Sequence, residues 1–412
     1  MQFNEMNLLP GLVDALKDKG YDIPTPIQEK AIPILLNEKD IFGCAQTGTG
    51  KTAAFALPVL QLLSKKEIQK GHKKNIRALI LAPTRELAMQ IHENMLALGK
   101  FLPHSQTLIF GGVSQVAQVA SLKKGTDILI ATPGRLLDLM NQGHIRLDKI
   151  EYFVLDEADR MLDMGFINDI RKIIAKLPAK KQSLFFSATV SPEIMSLANS
   201  FLVSPEKISV TPPSSASKLI EQSVYFVEKE KKRDLLKFLI VEEKIDHALV
   251  FTRTKRGADR VAKDLNKNGI PSDSIHGDKS QNARERALKG FKNRKIKILV
   301  ATDIASRGID VAGLSHVINY EIPEQAEVYV HRIGRTGRAG IEGTAFSLCT
   351  EGEKDYWKDI NKLLKKPIRA VEEHPYSTPS TNNKKLINHS SNTSNHKLKQ
   401  NEKRNSKILQ HK

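Results

Sequence analysis

Short apolar runs alternate with longer helical stretches twice along this chain, and few folds accommodate that alternation. In the first half the runs are R-A-L-I-L-A-P from Arg77, D-I-L-I-A-T-P from Asp127, Y-F-V-L-D from Tyr152 and Q-S-L-F-F-S-A-T from Gln182. Strands that are apolar on both faces and separated by helices predict a parallel sheet covered on two sides. The series stops near Val203, where S-P-E-K-I-S-V-T-P-P-S-S-A-S-K supplies proline and serine without periodicity. A second series follows, over Ser223–Val227, Ala248–Thr252, Lys297–Asp303, His316–Tyr320 and Thr344–Cys349. The expected architecture is therefore two α/β domains in tandem, over 1–205 and 218–370, joined by a linker over 206–217. From 371 to 412, Asn, Ser, His and Lys replace apolar residues, with Lys384, Lys385, Lys397, Lys399, Lys403, Arg404, Lys407 and Lys412 among them, which predicts a disordered basic tail.

With 412 residues, two cores are expected rather than one. A formal charge of +18, from 64 basic against 46 acidic residues, favours a polyanionic partner. Cys44 and Cys349 have no metal-ligand or redox spacing and fit a reducing cytoplasm. No basic leader opens the chain, and no run approaches the roughly 20 apolar residues of a bilayer span, so neither secretion nor membrane insertion is expected.

The chemistry is concentrated in two segments. In A-Q-T-G-T-G-K-T, covering Ala45, Gln46, Thr47, Gly48, Thr49, Gly50, Lys51 and Thr52, the glycines let backbone N–H groups turn inward around phosphate oxygens at the start of a helix. Lys51 then neutralises the terminal phosphates, and the Thr52 hydroxyl is a magnesium ligand. The usual pattern has glycine where this chain has Ala45, yet the strand I-F-G-C before the loop and the helix A-A-F-A-L after it supply the expected context. In F-V-L-D-E-A-D, over Phe153–Asp159, two adjacent carboxylates end an apolar run. Asp156 is placed to support the same magnesium ion, and Glu157 to orient water or take its proton. Together they read as a nucleotide-hydrolysis site.

D-E-A-D, with S-A-T over Ser187–Thr189, resembles the DEAD-box family of ATP-dependent RNA helicases, and the match covers nearly all of the chain before the tail. The compact core and short basic tail are most similar to the bacterial RhlE-type subgroup. The resemblance implies two RecA-like domains, ATP and Mg2+ as cofactors, and RNA-stimulated hydrolysis coupled to local unwinding of short duplexes or remodelling of RNA–protein complexes. An ATP-gated RNA clamp serving as an assembly platform is the alternative, and a DNA-translocating relative is disfavoured by D-E-A-D together with Gln28. G-Y-D-I-P-T-P-I-Q, over Gly20–Gln28, matches the family's adenine-recognition segment, with Tyr21 inside it and Phe3 at the expected upstream aromatic position. An amide donates and accepts at once, so Gln28 suits the N6 and N7 edge of adenine.

The resemblance assigns RNA contacts to Pro83, Thr84 and Arg85, to Gly111 and Gly112, and to Thr132, Pro133, Gly134 and Arg135. In the second half it assigns them to Arg253, Gln281, Arg284, Thr302 and Arg307. These residues imply backbone binding of single-stranded and duplex RNA, largely independent of sequence. Gly308 and Asp310 fall to the nucleotide, and Asp159, Ser187, Thr189 and His331 to coupling between sites. H-R-I-G-R-T-G-R-A-G, over His331–Gly340, places Arg335 and Arg338 as fingers reaching the γ-phosphate from the second domain. The tail reads either as a tethered electrostatic clamp on RNA or as a solubilising extension. Ribosomal precursors and RNA-decay complexes both stay open as partners, and a monomer suffices for the proposed cycle.

Overall fold

The apolar runs become the strands of two parallel sheets. In the computed structural model the described residues are 2–45, 48–65, 74–209, 220–306, 314–337, 342–365 and 367–377. The first sheet contains β1 (Ile41–Cys44), β2 (Ala78–Leu81), β3 (Gln106–Ile109), β4 (Ile128–Ala131), β5 (Tyr152–Leu155), β6 (Gln182–Ser187) and β7 (Glu206–Ser209), in the spatial order β3-β4-β2-β5-β6-β1-β7. The second contains β8 (Ile220–Phe226), β9 (Ala248–Thr252), β10 (Ser272–Ile275), β11 (Ile298–Thr302), β12 (His316–Asn319), β13 (Gly343–Cys349) and β14 (Arg369–Val371), in the order β10-β11-β9-β12-β13-β8-β14. Strand for strand the two orders are the same, so the chain repeats one topology. The RecA-like α/β class expected from the sequence is the class observed.

Alternation along each strand divides the core into layers. Tyr152 and Val154 of β5 face one cluster, together with Ile80 and Phe186, while Phe153 and Leu155 face another with Leu79, Leu129 and Phe185. The second sheet repeats this: Ala248 and Val250 point to one side of β9, and Leu249 and Phe251 to the other. Helices close both faces, as a parallel sheet requires.

Two expected boundaries shift. Glu206–Ser209, read as the start of the linker, pairs in parallel with β1, with Ile41 opposite Glu206 and Cys44 opposite Ser209. Only Ile208 of its four side chains is buried, so this edge strand carries little apolar signal. At the other end, Val371 closes β14 alongside β8, and the chain stays packed beyond it. The His374 ring lies 5.6 Å from Tyr225, the Tyr376 ring 6.3 Å from Phe238, and Ser377 bridges Val227. The ordered second domain therefore extends to Ser377, and residues 378–412, most of the expected tail, lie outside the described residues.

The second domain also buries an ion pair. Lys232, first residue of the helix Lys232–Glu242, donates from Nζ to Glu353 Oε2 (2.6 Å) and to the Tyr320 carbonyl (2.7 Å). Burial lowers its ammonium below the usual lysine range, opposed by Glu353.

The aromatic layer under the first sheet sets a measurable stability. Phe185 stacks on Phe42 at 5.2 Å and approaches Phe201 at 6.0 Å. Replacing a fully buried phenylalanine by alanine costs about 3–5 kcal/mol. Phe185→Ala is therefore expected to destabilise the first domain by that amount, read as a lower urea midpoint of its unfolding transition with the slope unchanged, leaving the second domain's transition in place.

Candidate active site and nucleic-acid interface

Parallel strands deliver their following loops to one edge, and the predicted chemistry collects there. β1 leads into the phosphate-loop segment and the helix Lys51–Lys65. Ala45 is buried beneath that loop, its N–H donating to the Ser187 carbonyl (3.0 Å), and Thr49 is half-buried. Gly48 and Gly50 take φ of 85° and 91°, a region that L side chains avoid. At Gly50 space is also limiting, since a Cβ would fall 2.6 Å from Gln28 Nε2 and 2.8 Å from Thr25 Oγ1. Gln46 and Thr47 lie outside the described residues.

The loop borders a cavity of about 510 Å³ lined by Tyr21, Gln28, Lys51, Thr52, Asp156 and Glu157 among others. Gln28 is held with its amide half used. Its Oε1 accepts from the Thr25 N–H (2.9 Å) and its Nε2 donates to the Gly50 carbonyl (3.0 Å). A primary amide offers two donors and two acceptor lone pairs, so one of each remains. That remainder matches the N7 acceptor and N6 donor of adenine. Phe3 is not among the lining residues: it is 4% exposed and packs in the core with Met6 and Leu12. Phe3, expected as the aromatic upstream of the adenine-recognition segment, packs in the core, and Tyr21 is the aromatic side chain lining the cavity.

Lys51 Nζ donates to the Ala45 carbonyl (3.0 Å) and lies 3.6 Å from Asp156 Oδ1. The Asp156 carboxyl is pushed up to about 6, chiefly by burial, with Lys51 pulling it down and Glu157 pushing it up. Its Oδ1 has no hydrogen-bond partner among the described residues. A buried, unbonded carboxylate oxygen in a cavity that also presents Thr52 fits a hard divalent cation of the magnesium type.

Glu157 stands next to it with φ 55° and ψ 51°, as the N-cap of the helix Ala158–Asp163. Its Oε2 accepts from Arg160 Nη1 (2.7 Å), and both side chains are buried. On the same helix, Asp159 Oδ2 accepts from the Ala188 N–H (3.1 Å). Ser187 Oγ donates to the Thr189 carbonyl (2.8 Å) and accepts from the Thr189 N–H (3.3 Å), so the S-A-T turn is tied to the acidic segment.

The second domain approaches this edge through the helix Ala326–Ile333 and the turn after it. His331, Arg332, Arg335, Asp303 and Phe251 line a small cavity with Arg160 of the first domain. The three arginines of the segment divide. Arg332 is consumed locally, donating from Nε and Nη2 to the two Asp303 oxygens (2.6 and 2.8 Å) and from Nη1 to the Glu321 carbonyl (2.7 Å). Arg335 reaches the boundary, whereas Arg338, Arg307, Gly308 and Asp310 lie outside the described residues.

A second group of contacts crosses between domains. Arg85 Nη1 donates to Gln281 Oε1 (3.2 Å), and Arg284 Nη2 pairs with Glu86 Oε1 (2.8 Å). Burial, then the charge of Arg284, with Arg135 adding to it, lowers Arg85 below the usual guanidinium range against the pull of Glu86. Gly112 belongs to this cluster, because a Cβ on it would overlap the Arg85 guanidinium at 2.1 Å. Thr84 caps the helix Arg85–Leu98 by accepting from the Leu87 N–H (3.3 Å), and Pro83 precedes it, buried. Thr132 and Pro133 begin the helix Pro133–Asn141, and Arg135 Nη2 donates to the Val113 carbonyl (3.0 Å). Gly111 and Gly134 have no atom within 4 Å of an added Cβ, so their backbone is open to a ligand. Thr302 ends β11, buried.

Arg253 stands apart from this cluster. Its guanidinium is committed to the Ile322 carbonyl (3.1 Å), Glu353 (3.4 Å) and Glu324 (3.7 Å) within its own domain. Gln281 and Arg284, assigned to RNA on sequence, reach across to the first domain through Arg85 and Glu86. Glu86 and Arg160 carry no expectation from the sequence, although Glu86 sits inside P-T-R-E-L-A and Arg160 directly follows D-E-A-D; a charged residue flanking a motif is the available signal.

Two repeated α/β units, a cavity in the first that is shaped for a nucleotide, and side chains of the second that meet the first at Arg160 and Glu86 define a two-domain nucleotide hydrolase. A family model described as DEAD/DEAH box helicase matches residues 25–197, and one described as Helicase conserved C-terminal domain matches residues 230–340. The chain is 43% identical over 365 residues to the ATP-dependent RNA helicase CshA of Limosilactobacillus reuteri, spanning 89% of this chain and 72% of that one. To the DEAD-box ATP-dependent RNA helicase CshA of Bacillus subtilis it is 41% identical over 371 residues, 90% and 74% of the two chains. Among solved structures, S. cerevisiae Dbp5 bound to RNA and ADP BeF3 superposes with a TM-score of 0.78 at 30% identity, covering 90% of this chain and 95% of that chain. Mss116p bound to ssRNA and AMP-PNP does so with a TM-score of 0.80 at 29% identity, covering 90% and 79%. The chain belongs to the DEAD-box family of ATP-dependent RNA helicases.

The Glu86–Arg284 pair makes domain apposition testable. Removing one partner of a buried pair strands the other charge at a cost of about 3–5 kcal/mol, and that cost falls on the apposed arrangement, because Glu86 is solvated when the domains part. Arg284→Met is expected to lower RNA-stimulated ATPase at least tenfold while basal thermal stability is kept. Interdomain fluorescence transfer with a non-hydrolysable ATP analogue and RNA checks the cause, and should report fewer closed molecules.

Proposed function

We propose that this helicase hydrolyses ATP only when its two domains meet on RNA, and that closure separates a short stretch of duplex rather than driving long-range translocation. The observation that carries the proposal is the division of the site: Lys51, Thr52, Asp156 and Glu157 line the first domain's cavity, while Arg335 stands on the second domain's face. An arginine finger contributes about 10³–10⁵ in rate, or roughly 4–7 kcal/mol of barrier. A separated first domain therefore turns over slowly. Asp156 and Thr52 would hold magnesium, which when bound neutralises charge between the β and γ phosphates. The chain's own residues do the rest. Gln28 selects adenine, Lys51 stabilises the terminal phosphates, Glu157 orients the attacking water, and the Asp159–Ala188 bond with the Ser187–Thr189 turn transmits the state of the site.

On the RNA side, Arg85, Arg135 and the open backbone at Gly111 and Gly134 suit phosphates, and Thr302 borders the same edge. Base stacking of about 1.4 kcal/mol per step, a DNA value, limits one closure to a few base pairs. The RhlE-type likeness remains a proposal, while the identities to CshA helicases support a place beside those. A reducing cytoplasm and a monomeric working unit complete the proposal, supported by two free cysteines and by a split site assembled within one chain. Among the described residues no helix is long and apolar enough to cross a membrane.

Glu157→Gln keeps the shape and removes the charge. RNA-stimulated turnover is expected to fall by about 10²–10⁴ with ATP still bound; near-normal turnover would overturn the role given to Glu157. The tail is proposed as an RNA clamp tethered at Ser377. Truncation after Ser377, which spares β14 and Tyr376, should weaken RNA binding and flatten its dependence on salt, and unchanged salt slopes would leave the tail a solubilising extension.

A further inference from the structure

Glu157 is built to be steered. Its backbone is left-handed at φ 55°, which projects the side chain from the head of a short helix into the nucleotide cavity. A carboxylate there has several rotamers, and catalysis needs one of them. Arg160, three residues on, lies on the same side of the helix and holds Oε2 at 2.7 Å, with the two side chains 7% and 3% exposed. Its guanidinium is a flat fork of five donors, so fixing one edge fixes the direction of the others. Arg160 also joins the small cavity lined by Asp303, His331, Arg332 and Arg335, and it is the first domain's contribution to that lining.

We propose that Arg160 is a positioning residue that makes the orientation of Glu157 depend on the second domain. Apposition of the wall carrying Asp303 and His331 restricts the guanidinium, and the guanidinium restricts the Glu157 carboxylate. Closure then completes both halves of the reaction: arginine arrives on the phosphate side, and the water-orienting carboxylate is locked on the other. This inference rests on the role given to Glu157 above.

A local ion pair that merely steadies the helix predicts something different from a positioning role, and a mutant cycle separates them. Single-turnover ATP hydrolysis is measured at saturating ATP and RNA for wild type, Arg160→Gln, Glu157→Gln and the double variant, with ATP and RNA affinities measured alongside. Arg160→Gln is expected to slow hydrolysis about tenfold to a hundredfold, as loss of orientation does, while both affinities stay within about twofold. In the Glu157→Gln background the same change should have no further effect on the rate, because its target is gone. The neutral double variant strands no charge, so it reports even where Arg160→Gln alone folds poorly; Arg160→Lys, which keeps charge but loses the fork, should recover part of the rate. Losses that multiply in the double variant, or wild-type hydrolysis by Arg160→Gln beside an inactive Glu157→Gln, overturn the role of Arg160 alone. An active Glu157→Gln instead overturns the assignment of Glu157, and the two failures are thereby distinguished.

Discussion

Both sheets are parallel throughout, and the rest of the molecule follows from that constraint. A parallel strand must return to the starting edge through a crossover, so its two ends serve different purposes. The far ends collect the phosphate loop after β1, Asp156 after β5, the S-A-T turn after β6 and the P-T-R-E segment after β2. In the second domain the same edge carries Arg253 after β9 and Asp303 after β11. Placing two such edges against each other brings residues hundreds of positions apart into one cleft without any long loop.

What fills the cleft is an unequal division of charge. The first domain buries Asp156, Glu157 and Lys51 in one cavity and accepts the electrostatic strain, visible in the raised Asp156 carboxyl. The second domain brings Arg335 to the boundary, in a small cavity shared with Arg160. Unlike groups in one rigid domain would find each other and stay paired, as Arg332 and Asp303 do. Divided between two bodies, charges are complementary only where the two meet. The Arg85–Gln281 and Glu86–Arg284 contacts show the same division, each joining a residue of the first domain to one of the second.

The sequence made the interior of each sheet legible and left its margins blank. β2, β4, β5 and β6, then β9, β11, β12 and β13, are apolar runs read directly from the chain. The strands overlooked, β3, β7, β10 and β14, occupy the edges of the two sheets. An edge strand has one neighbour and often one covered face, so S-D-S-I and E-K-I-S lack the composition that betrays a central strand. Glu206–Ser209 was therefore read as linker. In the site, the phosphate loop, Asp156 and Gln28 were legible because their chemistry demands particular residue types in a particular order. Phe3 and Arg253 show a different limit: a motif names a residue without saying which partner its side chain meets, and here those partners are a hydrophobic core and, for Arg253, two glutamates and a backbone carbonyl. The Arg160–Glu157 pair was hidden by the same limitation.

The repeated topology places a lysine at the same point of both domains. β8 occupies in the second sheet the place of β1 in the first, and Lys232 opens its following helix as Lys51 opens the helix after β1. Lys51 faces a cavity, whereas Lys232 is already spent on Glu353 and on the carbonyl of Tyr320, the residue that follows β12 as Asp156 follows β5. The duplicated lysine has become a strut. Of two copies of one architecture, only the first keeps, among the described residues, this lysine at the wall of a cavity.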